Sequence, residues 1–486
     1  MQNFISLIEN NLIGKVVFNQ KYFRLLFLLS VILRVNPFVE QFIGPVTKVF
    51  IVWGLLLIMH DLFTKRNILH KKFNLILYTF LIFYGISILV NYKNNLVANV
   101  ISYAYIFIKM VVLYIYDKQR NKNDLIKEID QANNLFISVA FGGALLSIIM
   151  VMCNIHFRYG VGEFLYEAGI RKGRLWGFFQ NPNAAGSIAS IAIILTLCSF
   201  MIKGKNINRK LCIYYIVNIF LQLINLFLTG SRGAMISFTS FLIIVGILFF
   251  IKSISKRKDK FSIVNMLLSV VVVIAILMST SFFAKHIIPK ISIHNPKINH
   301  YLWGLEGIEP PIGVSIDGNN GEDDIINNKE DVIDRESSGE DVVGGRKALW
   351  SVGLMVAKKH PIFGVGDENV IDFAYAMQPD NMELHGLKGG GMHNFMVQTA
   401  VASGFVGLAI IIVFMVVFTI TIIKYIIKMV KAKQFNNISL VIISLLISLV
   451  VNGMVESGII FNTVFSSIIL WMYMGYLMYF VETDIK

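Results

Sequence analysis

Four side chains in this sequence pair reactive chemistry with an unusual setting. Arg174, Arg232, Arg346 and His393 each stand in a short polar motif at the edge of an apolar run. A guanidinium presents a planar fork of donors that matches phosphate oxygens two at a time, so three of them at one surface would make an anion site. An imidazole in such a place is either a surface residue or a base titrating near neutral pH. The motifs are Arg174-Leu-Trp-Gly-Phe-Phe-Gln180-Asn181-Pro182-Asn183, Thr229-Gly-Ser231-Arg232-Gly233-Ala234, the run that begins Gly345-Arg346, and Met392-His393-Asn394. Each has an ordinary reading alone: an arginine at a helix end commonly anchors at the membrane interface. Gly364 and Gly366 read as turn residues, because no Walker spacing surrounds them.

The elements that must position these groups are membrane helices. The chain has 486 residues, 56% of them hydrophobic, with a mean hydropathy of +0.66. A water-soluble fold of this size could not hide that much apolar surface. The net charge of +14 does not point to nucleic acid, because Lys and Arg sit in short clusters between apolar runs. Cys153, Cys198 and Cys212 lie in or beside those runs and suit neither a disulfide framework nor a zinc site. No cleaved signal peptide is expected, since the first apolar run is followed by more.

Twelve windows are long enough to cross about 30 Å of hydrocarbon. They are 17–34, 42–60, 73–90, 96–116, 132–153, 183–202, 211–228, 234–251, 262–284, 395–423, 438–454 and 458–480. Segments after even-numbered spans carry about three times as many Lys and Arg as the short segments after odd-numbered ones. Both termini are therefore expected in the cytoplasm and the long segment 285–394 outside. The expected organisation is an all-α integral membrane protein: spans one to nine in 1–284, a large extracytoplasmic loop in 285–394, and spans ten to twelve in 395–486. Within the loop, 304–343 is a Gly-, Asn- and acid-rich insert expected to be disordered. It fails the calcium-loop pattern counted from Asp317, with Glu322 at position six and Asn328 at position twelve. Residues 345–360 are expected to form an amphipathic helix.

Spans six, eight and ten would then start at the outer surface, where free backbone N–H groups favour anions. Asn181 is the expected N-cap of span six, with Pro182 in its first turn. Lys109 is expected to snorkel inward from the end of span four. Asp367 and Glu368 have no assigned role.

Taken in order, four motifs resemble the O-antigen ligase/polymerase superfamily. They are Arg174…Gly177-Phe-Phe-Gln-Asn-Pro-Asn183; Thr229-Gly-Ser-Arg-Gly-Ala; Gly345-Arg346…Leu349-Trp350…His360-Pro-Ile-Phe-Gly-Val-Gly; and His393-Asn394-Phe-Met-Val-Gln398…Gly404-Phe-Val-Gly407. The resemblance covers about residues 170 to 410. It implies a bundle like that of membrane glycosyltransferases and a metal-independent, inverting glycosyl transfer without a cofactor. The donor would be a glycan on undecaprenyl diphosphate, with a glycan acceptor, on the outer face of the cytoplasmic membrane. Under this reading Arg232 and Arg346, with Arg174, hold the diphosphate and His393 serves as base; Asn181, Asn183, Ser231 and Asn394 contact substrate. A chain-length regulator and a flippase are the implied protein partners.

A polymerase joining repeat units leads, because the Asn-, Ile- and Lys-rich composition suits an AT-rich genome and a bacterium lacking lipid A. Transfer of finished glycan to lipid A core, protein or a wall acceptor is the alternative. A glycan flippase would instead show inverted repeats and polar or broken helices at mid-membrane. A non-catalytic scaffold would give no reason for three arginines and a histidine in this order.

Overall fold

Long apolar runs bounded by asparagine caps dictate the architecture. Asn181 accepts from Ala184 N at 2.8 Å and opens a helix from Pro182, Asn208 caps Arg209–Thr229, and Asn436 caps Asn437–Gly453. The computed structural model describes residues 12–64, 67–70, 72–153, 155, 157–161, 164–171, 174–179, 181–255, 274–284, 308–309, 344–379, 387 and 391–484. Among these, seven helices are long and apolar enough to cross a membrane: Leu96–Leu113, Lys122–Met152, Pro182–Asn206, Arg209–Thr229, Arg232–Ser255, Phe395–Ala432 and Phe465–Thr483. The bent pair Pro37–Val46 and Val49–Phe63 makes an eighth if it is one span.

The twelve windows each contain helix where they are described, although not all meet the length of a full span. Asn74–Val90 and Asn437–Gly453 have 17 residues, about 26 Å at 1.5 Å per residue and so short of a straight crossing. Gln20–Leu33 is shorter again, at 14 residues. The window 262–284 is described only over 274–284, which is helical. Leu75, Ile82, Val97 and Ile243 are among the large apolar side chains left exposed on these helices, as expected where lipid is the solvent. The molecule is a helical, multi-pass membrane protein.

The chain divides into two compact units. The first comprises Met1–Val31, Val46–Ile129 and Asp341–Lys486. Its centre is Phe465–Thr483, of which 83% of the apolar window is buried. That helix packs on a π-helical segment, Lys109–Leu113, so closely that a Cβ at Gly475 would lie 2.8 Å from Tyr114 O. The buried Glu128 carboxylate accepts from Arg24, Arg120 and Tyr476 at 3.0, 2.7 and 2.8 Å. A buried carboxylate needs several such donors to offset its desolvation.

Lys109 departs from the sequence expectation. It is fully buried, and its ammonium donates to the carbonyls of Ile460, Phe461 and Asn462. The wider turn of the π-helix begins at this residue, and the carbonyls of a non-helical segment satisfy the charge without recourse to the interface.

The second unit comprises Ile32–Pro45 and Asp130–Glu340. Pro182–Asn206 is its most enclosed helix, with Arg209–Thr229 and Arg232–Ser255 packed against it. Polar side chains join these helices internally: Asn133 donates to Ser199, and Gln222, Asn218 and Thr196 form a hydrogen-bonded row. The all-helical expectation does not include the one sheet described here. Phe157–Val161, Phe164–Arg171 and Arg174–Gly177 form an antiparallel meander, with Ile308–Glu309 beside the first strand. Apart from Ile308–Glu309, the insert 304–343 lies outside the described residues, as does Gln180.

Candidate active site

The candidate residues divide between the two units. In the second, Arg174 opens the last strand of the meander and reaches two neighbours. Its Nε donates to Thr229 O at 2.8 Å and one terminal nitrogen donates to Asn183 Oδ1 at 2.7 Å. Ser231 Oγ lies 3.4 Å from the same Asn183 oxygen. The turn 229–231 therefore seats against the first turn of Pro182–Asn206, and a Cβ at Gly186 would come within 2.8 Å of Ser231. Gly230 closes this turn with a φ of +56°, a conformation that favours glycine. Arg232, half-buried, is the first residue of Arg232–Ser255. The unit thus gathers Arg174, Asn183, Ser231 and Arg232 around two adjacent helix N-termini. Asn181 acts as the N-cap, so its side-chain oxygen is engaged by the backbone.

In the first unit the central group is one that sequence reasoning missed. Glu456 lies in the turn between Asn437–Gly453 and Phe465–Thr483. Its Oε2 is 2.9 Å from His393 Nδ1 and its Oε1 is 3.2 Å from an Arg346 terminal nitrogen. The carboxylate bridges the two residues singled out in the sequence. All three side chains are between 18 and 25% exposed, so the cluster is neither sealed nor freely solvated. A carboxylate accepts, which makes Nδ1 the donor; in the neutral imidazole Nε2 is then the accepting nitrogen. Signals for Glu456 existed: the expected outer turn 455–457 contains no basic residue, and Glu456 is its one acid.

Local structure fixes the histidine. Gly344–Lys359 is the expected amphipathic helix, with Leu349, Val352, Val356 and Ala357 buried against Phe395–Ala432. A Cβ at Gly353 would lie 2.8 Å from Val397, so the helices approach closely and Arg346 is carried on a firm support. Asn394 caps Phe395–Ala432 by accepting from Met396 and Val397 N, while its amide donates to Met454 O at 3.0 Å. It thereby ties the His393 turn to the Glu456 turn. His393 itself has a φ of +47°, sparsely populated for a side-chain-bearing residue and held only where the surroundings over-determine it. Trp350 Nε1 supplies one such restraint, donating to Met392 O at 2.9 Å.

The Phe363-Gly364-Val365-Gly366 turn and Gly404 form one device. Helix Phe395–Ala432 breaks at Gly404, where φ is +70°. The break frees carbonyls that accept from Val365 and Gly366 N, both at 2.9 Å, while Phe405 N donates to Pro361 O at 2.8 Å. Gly364 is required there because a Cβ would fall 2.5 Å from Val401 O and Gly404 N.

The cluster of the first unit has the groups to accept a proton at His393 and to stabilise anionic oxygen at Arg346. Residues 217–412 match the model of a protein family described as O-antigen ligase. The matched segment includes Ser231, Arg232, Arg346, His393 and Asn394; Arg174, Asn181 and Asn183 precede it and Glu456 follows it. No curated protein matches the chain. This match supports the likeness of residues 217–412 to the O-antigen ligase/polymerase superfamily.

Proposed function

We propose that the protein polymerises glycan repeat units carried on undecaprenyl diphosphate, at the outer face of the cytoplasmic membrane. The family supports glycan transfer between a lipid-linked donor and an acceptor. The observation that carries the catalytic reading is the Arg346–Glu456–His393 cluster. In the reaction, His393 Nε2 takes the proton of an acceptor hydroxyl as its oxygen attacks the anomeric carbon. The bond from that carbon to the diphosphate oxygen breaks, the electron pair leaves with the diphosphate, and configuration inverts. Glu456 holds Nδ1–H and so keeps Nε2 the accepting atom. Arg346, bonded to the same carboxylate as His393, stabilises the leaving diphosphate; in the second unit Arg232, at the start of its helix, is a further anion-binding group, and Arg174, Asn183 and Ser231 shape the turn beside it. Guanidinium groups supply the positive charge, and no metal is invoked.

The test is reconstitution of the purified chain in liposomes with lipid-linked repeat units alone. Growth of a glycan ladder supports the polymerase. Transfer only after a separate acceptor is added overturns it in favour of a ligase; donor crossing the bilayer without new glycosidic bonds would instead identify a flippase.

A further inference from the structure

The His393 turn is held from beneath by a side chain with two hydrogen bonds. Gln398, one turn into helix Phe395–Ala432 and 4% exposed, accepts from Met392 N through Oε1 at 2.9 Å. Its Nε2 donates to Asp367 Oδ1 at 2.7 Å. Both ends of the amide are therefore used, one by the residue before His393 and the other by an aspartate 31 positions from Gln398. The turn is pressed onto this amide, since a Cβ at Gly391 would sit 2.7 Å from Gln398 Oε1.

Asp367 is in turn fixed by several elements. Val365 and Gly366 dock on the carbonyls freed at the Gly404 break. Asp367 N donates to Tyr84 OH at 3.0 Å, Glu368 N donates to Asn99 Oδ1 at 3.1 Å, and Ser102 Oγ lies 3.4 Å from Asp367 Oδ2. Only a glycine fits at 366, where a Cβ would approach Asn99 Oδ1 to 2.8 Å. A carboxylate held by this many elements and bonded to Gln398 is placed to hold the amide.

We propose that Asp367 is a positioning residue for His393, acting through Gln398. The carboxylate fixes which way the Gln398 amide faces, so that Oε1 and not Nε2 meets Met392 N. That bond holds the turn in which His393 adopts its left-handed backbone and presents Nδ1 to Glu456. Without it, the backbone relaxes toward an ordinary conformation and the imidazole moves. Displacing a reacting group by about 1 Å can cost about a hundredfold in rate. The inference rests on the reading of His393 as the base.

The experiment measures glycosyl transfer by the full-length protein in liposomes with lipid-linked repeat units. H393A, D367A, Q398A, D367N, Q398E and D367N/Q398E are compared. D367A and Q398A should lower kcat about ten- to a hundredfold, with the donor KM within about twofold. D367N should retain most activity, because an amide oxygen can accept from Gln398. Q398E sets two carboxylates against each other and should fail. Adding D367N should restore it: the amide introduced at 367 then donates to the carboxylate introduced at 398, whose other oxygen accepts from Met392 N. Adding Q398A to H393A should cause no further loss. Wild-type turnover in H393A would overturn the base reading and the inference together. An inactive H393A beside D367A and Q398A with wild-type kcat would overturn the inference alone. Equal inactivity of Q398E and D367N/Q398E, or a further loss when Q398A is added to H393A, would assign Gln398 to general folding and likewise overturn it.

Discussion

His393 Nδ1 lies 2.9 Å from Glu456 Oε2, across 63 positions of sequence. The other oxygen of the same carboxylate meets Arg346 at 3.2 Å, so removing Glu456 disturbs both the imidazole and a guanidinium. E456A should lower kcat about a hundredfold with little change in donor affinity. E456Q, which still offers an oxygen to Nδ1–H but no charge to Arg346, should fall between E456A and wild type. The check is steady-state transfer kinetics alongside equilibrium donor binding. If E456A weakens donor binding while leaving kcat intact, the carboxylate does not orient the base.

The arginines test differently. R346K and R232K keep the charge and lose the planar fork, and lysine meets phosphate as a point charge. Each should reduce turnover about tenfold or more while expression in the membrane is unchanged. Glycan-length profiles from cells carrying each variant provide the measurement, with unaltered lengths counting against diphosphate binding. R174K is expected to act otherwise. Arg174 bonds Thr229 O and Asn183, so its loss should loosen the 229–231 turn and lower thermal stability in detergent.

Gly364 and Gly404 make a prediction about stability alone. Each has a positive φ, and a Cβ at either would lie 2.1–2.5 Å from backbone atoms of the other's segment. Backbone cannot yield as a flexible side chain can. G364A and G404A should each cost about 2–4 kcal/mol, combining strain with overpacking. Thermal unfolding in detergent should show a lowered midpoint for both; unchanged midpoints would mean the two segments do not dock in this way.

Much of this was legible because it is local. Asn181-Pro182 carries its capping role in its own sequence, and the apolar spacing of 345–360 suffices to give the helix that bears Arg346; Asn394, read as a substrate contact, proves to be a cap. The unread parts depend on distant partners. Glu456 gains meaning only when its turn meets that of His393, and a motif reading focused on basic residues and histidine passes over a lone acid. Lys109 stands at the end of an apolar run, where snorkelling is the local reading. Its burial depends on carbonyls some 350 positions away. The meander at 157–177 did leave a trace, two alternating aromatic-rich runs separated by two residues, hidden within a segment treated as a connecting loop. Asp367 and Glu368 had no place because the helix break at Gly404 that seats them is tertiary.

Asp367 also gives a pH prediction. Burial pushes its carboxyl from 3.8 up to about 6, partly offset by Gln398, Lys109 and Ser102; Tyr84 and Glu368 are further titratable groups that interact with it. The folded-state value exceeds the unfolded one, so the group's contribution is full below about pH 4. It is lost as pH rises through about 6. D367N removes the titration, so its stability relative to wild type should improve between pH 4 and pH 7, by about 3 kcal/mol at most. Thermal midpoints of the two proteins across that range decide it. A constant difference would show that Asp367 does not change its protonation cost on folding.

Lys109 provides the last test. Its ammonium satisfies the carbonyls of Ile460, Phe461 and Asn462, in the turn that follows Glu456. K109M fills nearly the same volume but leaves up to three carbonyls without a donor, each costing about 1–3 kcal/mol if it stays buried. The turn should therefore rearrange toward other donors and carry Glu456 with it. Transfer should fall while the helices stay folded, and a cysteine probe at Ser457, 2% exposed in the native turn, should become reactive toward maleimide. A K109M protein with native turnover and a protected probe would show that the turn holds its shape unaided, and that the buried charge serves packing in the bundle instead of the geometry of Glu456.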